Sequence, residues 1–302
     1  MSKSILQYLF MAAIFVLAFN GCETQDNLVD SVRLPGTEVV VRDGRQNLYP
    51  SWHPQEEAIV YISADANSKP VQGFVQGTAI RQTNLTSDSV QTLWSGSEML
   101  TFCDVHPEGN LITLCRHNGS DRDVVIFNPE KITWQTISRL DGDELFPQWS
   151  PDGNALAFLH DKKISIYHTQ SLNTETIDLS VSAHSFCWHP NGDGWLLFGY
   201  DGTEMRLYRY RWSHNELIAL SNQGLNGSWP AATQPPQFAE SVLGPHMIYS
   251  SGKSLRLYDL DAAQAAVVVP QGTFPAWSWQ GDRIAYSFDG QIRIEAMWVK
   301  ME

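Results

Sequence analysis

Phe146-Pro147-Gln148-Trp149-Ser150-Pro151-Asp152-Gly153, followed at once by Leu156-Ala157-Phe158, is the stretch whose reading decides the fold. Pro-Asp-Gly turns the chain, and the apolar residues beyond it read as a short strand. The same phrase returns as Tyr49-Pro50-Ser51-Trp52-His53-Pro54 before Ala58–Tyr61, as Phe186-Cys187-Trp188-His189-Pro190-Asn191-Gly192 before Trp195–Phe198, and as Phe274-Pro275-Ala276-Trp277-Ser278 before Ile284–Tyr286. Two copies are degraded: Phe102-Cys103-Asp104-Val105-His106-Pro107 before Leu111–Leu114, and Trp229-Pro230 before Met247–Tyr249. With Pro50, Cys103, Pro147, Phe186, Pro230 and Pro275 taken as equivalent, the steps are 53, 44, 39, 44 and 45 residues.

A repeat of that period with four short strands per unit predicts an all-β, six-bladed β-propeller. In the third unit the strands read as Phe146–Trp149, Ala155–His160, Lys163–His168 and Thr174–Leu179. Proline cannot donate to a β-ladder, so Pro50, Pro147 and Pro275 belong on the free inner edge that faces a central channel. The Trp after each proline then projects from a sheet face into the wedge between blades. The sixth unit lacks a fourth strand, and Thr37–Arg42 is a strand without a unit. Placing that N-terminal strand at the outer edge of the last blade closes the ring.

Composition agrees. The 302 residues are 43% hydrophobic, 11% aromatic and 18% charged, with 11 Trp, 21 Gly and 15 Pro, a β-rich and turn-rich profile. A net charge of -13 repels phosphate backbones and disfavours general nucleic-acid binding.

The first 20 residues are an address rather than fold: Lys3, then an apolar run from Ile5 to Phe19 too short for a spanning helix. Phe19-Asn20-Gly21-Cys22, with an abrupt polar turn after Cys22, resembles a bacterial lipoprotein lipobox, although Phe19 and Asn20 depart from its usual Leu and Ala or Ser. That resemblance implies lipid attachment at Cys22, and Glu23 after it implies outer-membrane sorting with the protein facing the periplasm. An ordinary signal peptide or an uncleaved anchor are the alternatives. The expected organisation is residues 1–21 signal peptide, 22–36 tether and 37–302 propeller.

The repeated phrase, above all Trp149-Ser150-Pro151-Asp152-Gly153, resembles the TolB-type propeller repeat, also found in prolyl-oligopeptidase-like peptidases. The resemblance covers about residues 37–302 and implies the fold; propellers host binding and catalysis alike. TolB carries an α/β domain before its propeller, whereas here only a short tether separates Cys22 from the first strand.

Candidate chemistry is sparse. His53, His106 and His189 recur at one repeat position and read as turn residues bonding their own backbone, since equivalent turns on different blades lie too far apart to share an ion. Asn47, Asp104 and Glu144 are the few oxygen ligands near the starts of inner strands, too few for a hard cation, and Asp141-Gly142-Asp143-Glu144 lacks the spacing of a calcium loop. There is no Gly-x-Ser-x-Gly elbow, phosphate loop or dinucleotide fingerprint. No cofactor, metal or catalytic residue is assigned. Cys103 and Cys115 fall opposite each other across a hairpin if its turn matches that of the third unit, which permits a disulfide; a one-residue register slip instead leaves two buried thiols.

The expected function is that of a non-enzymatic, lipid-anchored, monomeric envelope propeller that binds a protein or peptide. The face bearing the loops into the innermost strands is its docking surface, with Asn47, Tyr49, Asp143, Glu144 and Trp229 exposed there. The alternative is a channel-bound, metal-dependent hydrolase or lyase acting on a lactone or sugar; glycan binding by exposed tryptophans is a third reading.

Overall fold

The recurring phrase forms the innermost strand of successive β-sheets. The computed structural model of the chain describes residues 31–33, 37–71, 74–138, 140–220, 238–240 and 246–299; the signal segment, Cys22 and Trp229 lie outside them. Two short strands come first, β1 (Ser31–Arg33) and β2 (Glu38–Val41). The first unit is β3 (Gln46–Trp52), β4 (Ala58–Ala64), β5 (Gly77–Asn84) and the opening of β6 (Ser89–Val105). The second is the close of β6 with β7 (Ile112–His117), β8 (Arg122–Asn128) and β9 (Thr133–Thr136). The third is β10 (Glu144–Trp149), β11 (Ala155–His160), β12 (Lys163–His168) and β13 (Asn173–Ile177). The fourth is β14 (Ser182–Trp188), β15 (Trp195–Tyr200), β16 (Met205–Arg211) and β17 (Glu216–Ala219). The fifth is β18 (Phe238–Glu240), β19 (His246–Ser251), β20 (Ser254–Asp259) and β21 (Gln264–Val269), and the sixth is β22 (Thr273–Trp277), β23 (Arg283–Phe288) and β24 (Gln291–Val299).

Each unit is an antiparallel meander, as short turns between consecutive strands require. Hydrogen bonding nevertheless gives five sheets, one of them seven-stranded. The cause is β6, which pairs with β5 through Ser89–Ser95 as an outer strand and with β7 through Leu100–Val105 as the next inner strand, without a break. The seven-stranded sheet is thus two successive four-stranded units sharing one continuous strand.

The ring closes on its N-terminal side. β2 pairs with β24, Glu38 opposite Ile294 and Val41 opposite Ile292, and supplies the fourth strand of the last unit. Val41, Ile292 and Ile294 pack with Trp52 and Ile59 of the first unit, so the seam is part of the core. β1 also lies on β24, with Ser31 opposite Val299, although it falls within the segment expected to be tether.

The described strand paired with β19 is Phe238–Glu240, with Ala239 opposite Ile248, whereas the segment around Trp229-Pro230, expected as the fifth inner strand, lies outside the described residues. Between first and second strands, every other unit has a connection of five or six residues, such as 150–154 and 189–194. Phe238–Glu240 keeps that length; a strand at Trp229-Pro230 would need a connection more than twice as long.

The aromatic residue and the one after it, Pro in three units and Cys103 in the second, form a β-bulge. Register shifts fall between Leu48 and Ser51, Thr101 and Asp104, Leu145 and Gln148, and Thr273 and Ala276. The aromatic residue in each takes positive φ: Tyr49 57°, Phe102 52°, Phe146 53° and Phe274 55°. Bulky residues rarely adopt this region, and a bulge re-aims a side chain. Here it turns four rings into the channel.

The same bulge decides the cysteines. Thr101 stands opposite Cys115 and Asp104 opposite Thr113, so Cys103 has no cross-strand partner. Its thiol points to the first unit and donates to the Tyr49 carbonyl at 2.8 Å, while the Cys115 thiol points to the third and donates to the Glu144 carbonyl at 3.1 Å. The bridge allowed by the sequence is not formed; Cys103 and Cys115 are buried free thiols.

Candidate functional site

The four re-aimed rings meet across the channel. Tyr49 lies 4.8 Å from Phe102 and 4.3 Å from Phe274, and Phe102 lies 4.5 Å from Phe146, centroid to centroid. A fifth ring, Phe74, packs under them at 4.8 Å from Phe102 and 6.0 Å from Phe146. It is carried by the connection from β4 to β5, which spans 65–76, whereas the connection from β11 to β12 is only 161–162. Tyr49 donates its hydroxyl to the Val75 carbonyl at 2.8 Å. Arg122, 1% exposed, donates to the Val71 carbonyl and to Asp143 Oδ2, both at 2.9 Å, and its guanidinium lies 5.4 Å from the Phe74 ring centre. The connection is therefore a plug that shuts the channel where the inner strands begin.

That plug overturns the expected docking face. Asn47 is buried and donates to Asp43 and to the Gly290 carbonyl of the sixth unit, both at 2.9 Å. Tyr49 belongs to the aromatic floor. Glu144 is fully buried and its carboxylate accepts the backbone N–H groups of Val124 and Leu140 at 2.7 and 3.0 Å. Asp143 is half-exposed but bound to the Arg122 backbone and guanidinium. Three of the five residues expected at the surface are buried, Asn47 and Glu144 because their polar atoms join neighbouring units and Tyr49 because its ring enters the aromatic floor; Trp229 is outside the described residues.

The accessible cavity is at the opposite end, where the inner strands finish. It has a volume of about 290 Å³, with Phe102, Phe146 and Phe274 in its floor and Trp52, Trp149, Trp188 and Trp279 around its wall. The tryptophans are also mortar: Trp52 Nε1 donates to the Ala276 carbonyl, Trp188 Nε1 to the Gln148 carbonyl and Trp279 Nε1 to the Trp52 carbonyl, at 3.0, 3.0 and 3.1 Å. Trp279 remains 39% exposed at the rim. Nothing in the sequence marks Trp279 or Phe74; only the long first step of 53 residues hinted at the plug.

One charged residue lines this mouth among the described residues, Asp104. Oδ1 accepts the Ser51 hydroxyl at 3.1 Å and Oδ2 accepts the Trp149 N–H at 2.8 Å, so its carboxylate ties the second unit to the first and third. Burial pushes its pKa up to about 6 against these hydrogen bonds, which pull it down. Asp104 and Glu144 do not converge: Glu144 begins the strand that Trp149 ends, about 15 Å away at ordinary strand rise. A hard cation wants six to eight oxygens. The mouth offers one carboxylate with both oxygens engaged, above a floor of phenyl rings, and no three His, Cys, Asp or Glu side chains gather anywhere among the described residues. The residues present do not fit a resident metal ion.

The recurring histidines sit in the outer turns of this face. His53 and His106 each accept a backbone N–H at Nδ1, from Gln55 at 3.3 Å and Glu108 at 3.1 Å. Each contacts the glycine carbonyl of the next unit's turn through Nε2, at Gly109 and Gly153. His189 accepts the Asn191 N–H in the same way at 3.3 Å.

No known family profile matches the chain. The Tol-Pal system protein TolB of Wolinella succinogenes is 23% identical over 148 residues, which cover 47% of this chain and 32% of that protein. The crystal structure of TolB from Acinetobacter baumannii superposes with a TM-score of 0.57 at 15% identity, covering 74% of this chain and 60% of that one. A gluconolactonase from Xanthomonas campestris superposes with a TM-score of 0.64 at 10% identity, covering 88% of this chain and 91% of that one. The chain therefore spans about a third of the curated relative it matches and 60% of the solved TolB. The sheet topology, the repeat and these likenesses together show a β-propeller fold similar to that of TolB.

Proposed function

We propose that this chain is a non-enzymatic β-propeller of the bacterial envelope, anchored through lipid on Cys22, that works as a protein–protein interaction module. Its docking surface is the open mouth rimmed by Trp52, Trp149, Trp188 and Trp279. The observation that carries this reading is the asymmetry of the channel, plugged by Phe74 at one end and open, aromatic and nearly uncharged at the other. Aromatic, charge-poor patches with a polar rim are what protein interfaces concentrate. The lipobox-like segment and the TolB likeness support the envelope setting, with the outer membrane facing the periplasm as the specific placement.

The gluconolactonase likeness supplies the competing reading, a metal-dependent hydrolase or lyase on a lactone or sugar. A single engaged carboxylate at the mouth argues against it. Affinity purification of the lipidated protein from membranes, with elemental analysis of the same sample, separates the two. A reproducible partner protein without stoichiometric metal is expected; a stoichiometric divalent ion lost on Asp104→Ala, without a partner, would replace the binding reading by the enzymatic one.

A further inference from the structure

We propose that the mouth of the channel is a recognition site for a primary ammonium group, that of a lysine side chain presented by the partner protein. This deepens the interaction reading above and rests on it.

The geometry starts from Asp104. It is a half-buried carboxylate facing a cavity that contains no Lys, Arg or His among the described residues lining it. Neutral donors, the Ser51 hydroxyl and the Trp149 N–H, hold both of its oxygens in place but leave its charge uncompensated. A half-desolvated carboxylate with no counter-ion favours a ligand that brings one.

Shape selects the kind of cation. Each carboxylate oxygen already accepts one hydrogen bond, one from the first unit and one from the third, which leaves one lone pair on each oxygen inside a small cavity where a flat guanidinium fork needs more room than an ammonium. An ammonium is a compact charge with three rotatable donors and can use the remaining lone pair of a single oxygen. Towards the opening from the carboxylate stand Trp52, Trp149, Trp188 and Trp279, a wall suited to an aliphatic stem, and aromatic rings also favour a nearby cation. The volume of about 290 Å³ lies at the low end for ligand pockets, enough for one long side chain rather than a polymer. The net charge of -13 would draw a basic partner segment toward the ring.

The test titrates the full-length protein calorimetrically with capped pentapeptides, Gly-Gly-X-Gly-Gly, where X is lysine, arginine or norleucine. The lysine peptide is expected to bind at least tenfold more tightly than the norleucine peptide and more tightly than the arginine peptide. Asp104→Asn, which keeps the side chain's shape, is expected to abolish the preference for lysine over norleucine. Equal affinities, no binding of the lysine peptide at millimolar concentration, or an unchanged preference in Asp104→Asn would each overturn the proposal. The norleucine comparison uses the unaltered protein and so stands even if Asp104→Asn fails to fold. Binding of free 1,5-diaminopentane without binding of the lysine peptide would assign the site to a small free amine and overturn the partner lysine. Membrane capture with both forms separates the two readings: a partner retained equally by wild type and Asp104→Asn leaves the interaction module standing and removes the lysine, whereas no partner with either removes the module itself.

Discussion

His106 on the second blade donates from Nε2 to the carbonyl of Gly153 on the third at 3.2 Å, while its Nδ1 accepts the Glu108 N–H. Both contacts hold only for the neutral, Nε2-protonated ring. The glycine is required twice over. Its φ is +71°, and a Cβ there would stand 2.5 Å from His106 Nε2. Gly192 fills the equivalent turn at φ +78° with nothing within 4 Å of its Cβ position. Gly192→Ala is expected to cost about 1 kcal/mol, for backbone strain alone, and Gly153→Ala about 2–3 kcal/mol, because it also breaks the stitch between blades. Urea unfolding of the two variants makes the comparison; equal losses would show that the histidine contact contributes nothing.

Arg122 is the buried charge that holds the plug. Replacing it by Met leaves Asp143 Oδ2 and the Val71 carbonyl without their guanidinium donor, while Asp143 Oδ1 keeps the backbone N–H of residue 122. Breaking a buried pair costs about 3–5 kcal/mol, and the partial exposure of Asp143 brings the expectation to about 2–3 kcal/mol. Glu57→Gln at the surface pair with Arg283 should stay within about 1 kcal/mol. Thermal denaturation of both variants is the check, with hydrogen exchange at Phe74–Gln76 expected to rise only in Arg122→Met.

Asp104 gives stability a pH dependence of predictable sign. Its folded pKa of about 6 stands above its ordinary value of 3.8, so the folded state holds the proton more tightly than the unfolded chain. The stability this confers is complete below pH 4, falls as pH rises, and is gone once pH has passed 6. The melting temperature of wild type relative to Asp104→Asn should therefore drop between pH 4 and pH 6 and level off by pH 7. A constant difference across that range would show that Asp104 titrates as an ordinary surface carboxylate, and a rise would show that folding lowers its pKa.

The thiols make a simpler prediction. Alkylation of the protein unfolded without reductant should label Cys103 and Cys115 completely. A tryptic fragment joining Cys103 to Cys115 would mean that the bulge at Phe102 is misplaced.

What could be read from sequence was what repeats. Pro-Asp-Gly turns and Trp spacing located the strands of the third unit to within two residues, and the missing fourth strand of the last unit pointed to Glu38–Val41. What could not be read arises between units. The bulges that turn Tyr49, Phe102, Phe146 and Phe274 inward depend on positive φ at bulky residues, which no local propensity favours. The connection at 65–76 reads as a polar loop, and only Arg122 on another blade makes Phe74 a plug. Asn47 and Glu144 looked like surface polar residues because the acceptors and donors that bury them, Gly290 O and the N–H groups of Val124 and Leu140, are supplied by other parts of the ring.

Everything functional turns on which end of the channel meets the partner. A photo-cross-linking amino acid placed at Trp279, on the open rim, and separately at Leu140, beside Glu144 at the plugged end, reports this in intact cells. A covalent adduct with a partner protein from position 279 and none from position 140 is the predicted result. An adduct from position 140 with none from position 279 would contradict it and return the docking surface to the plugged face.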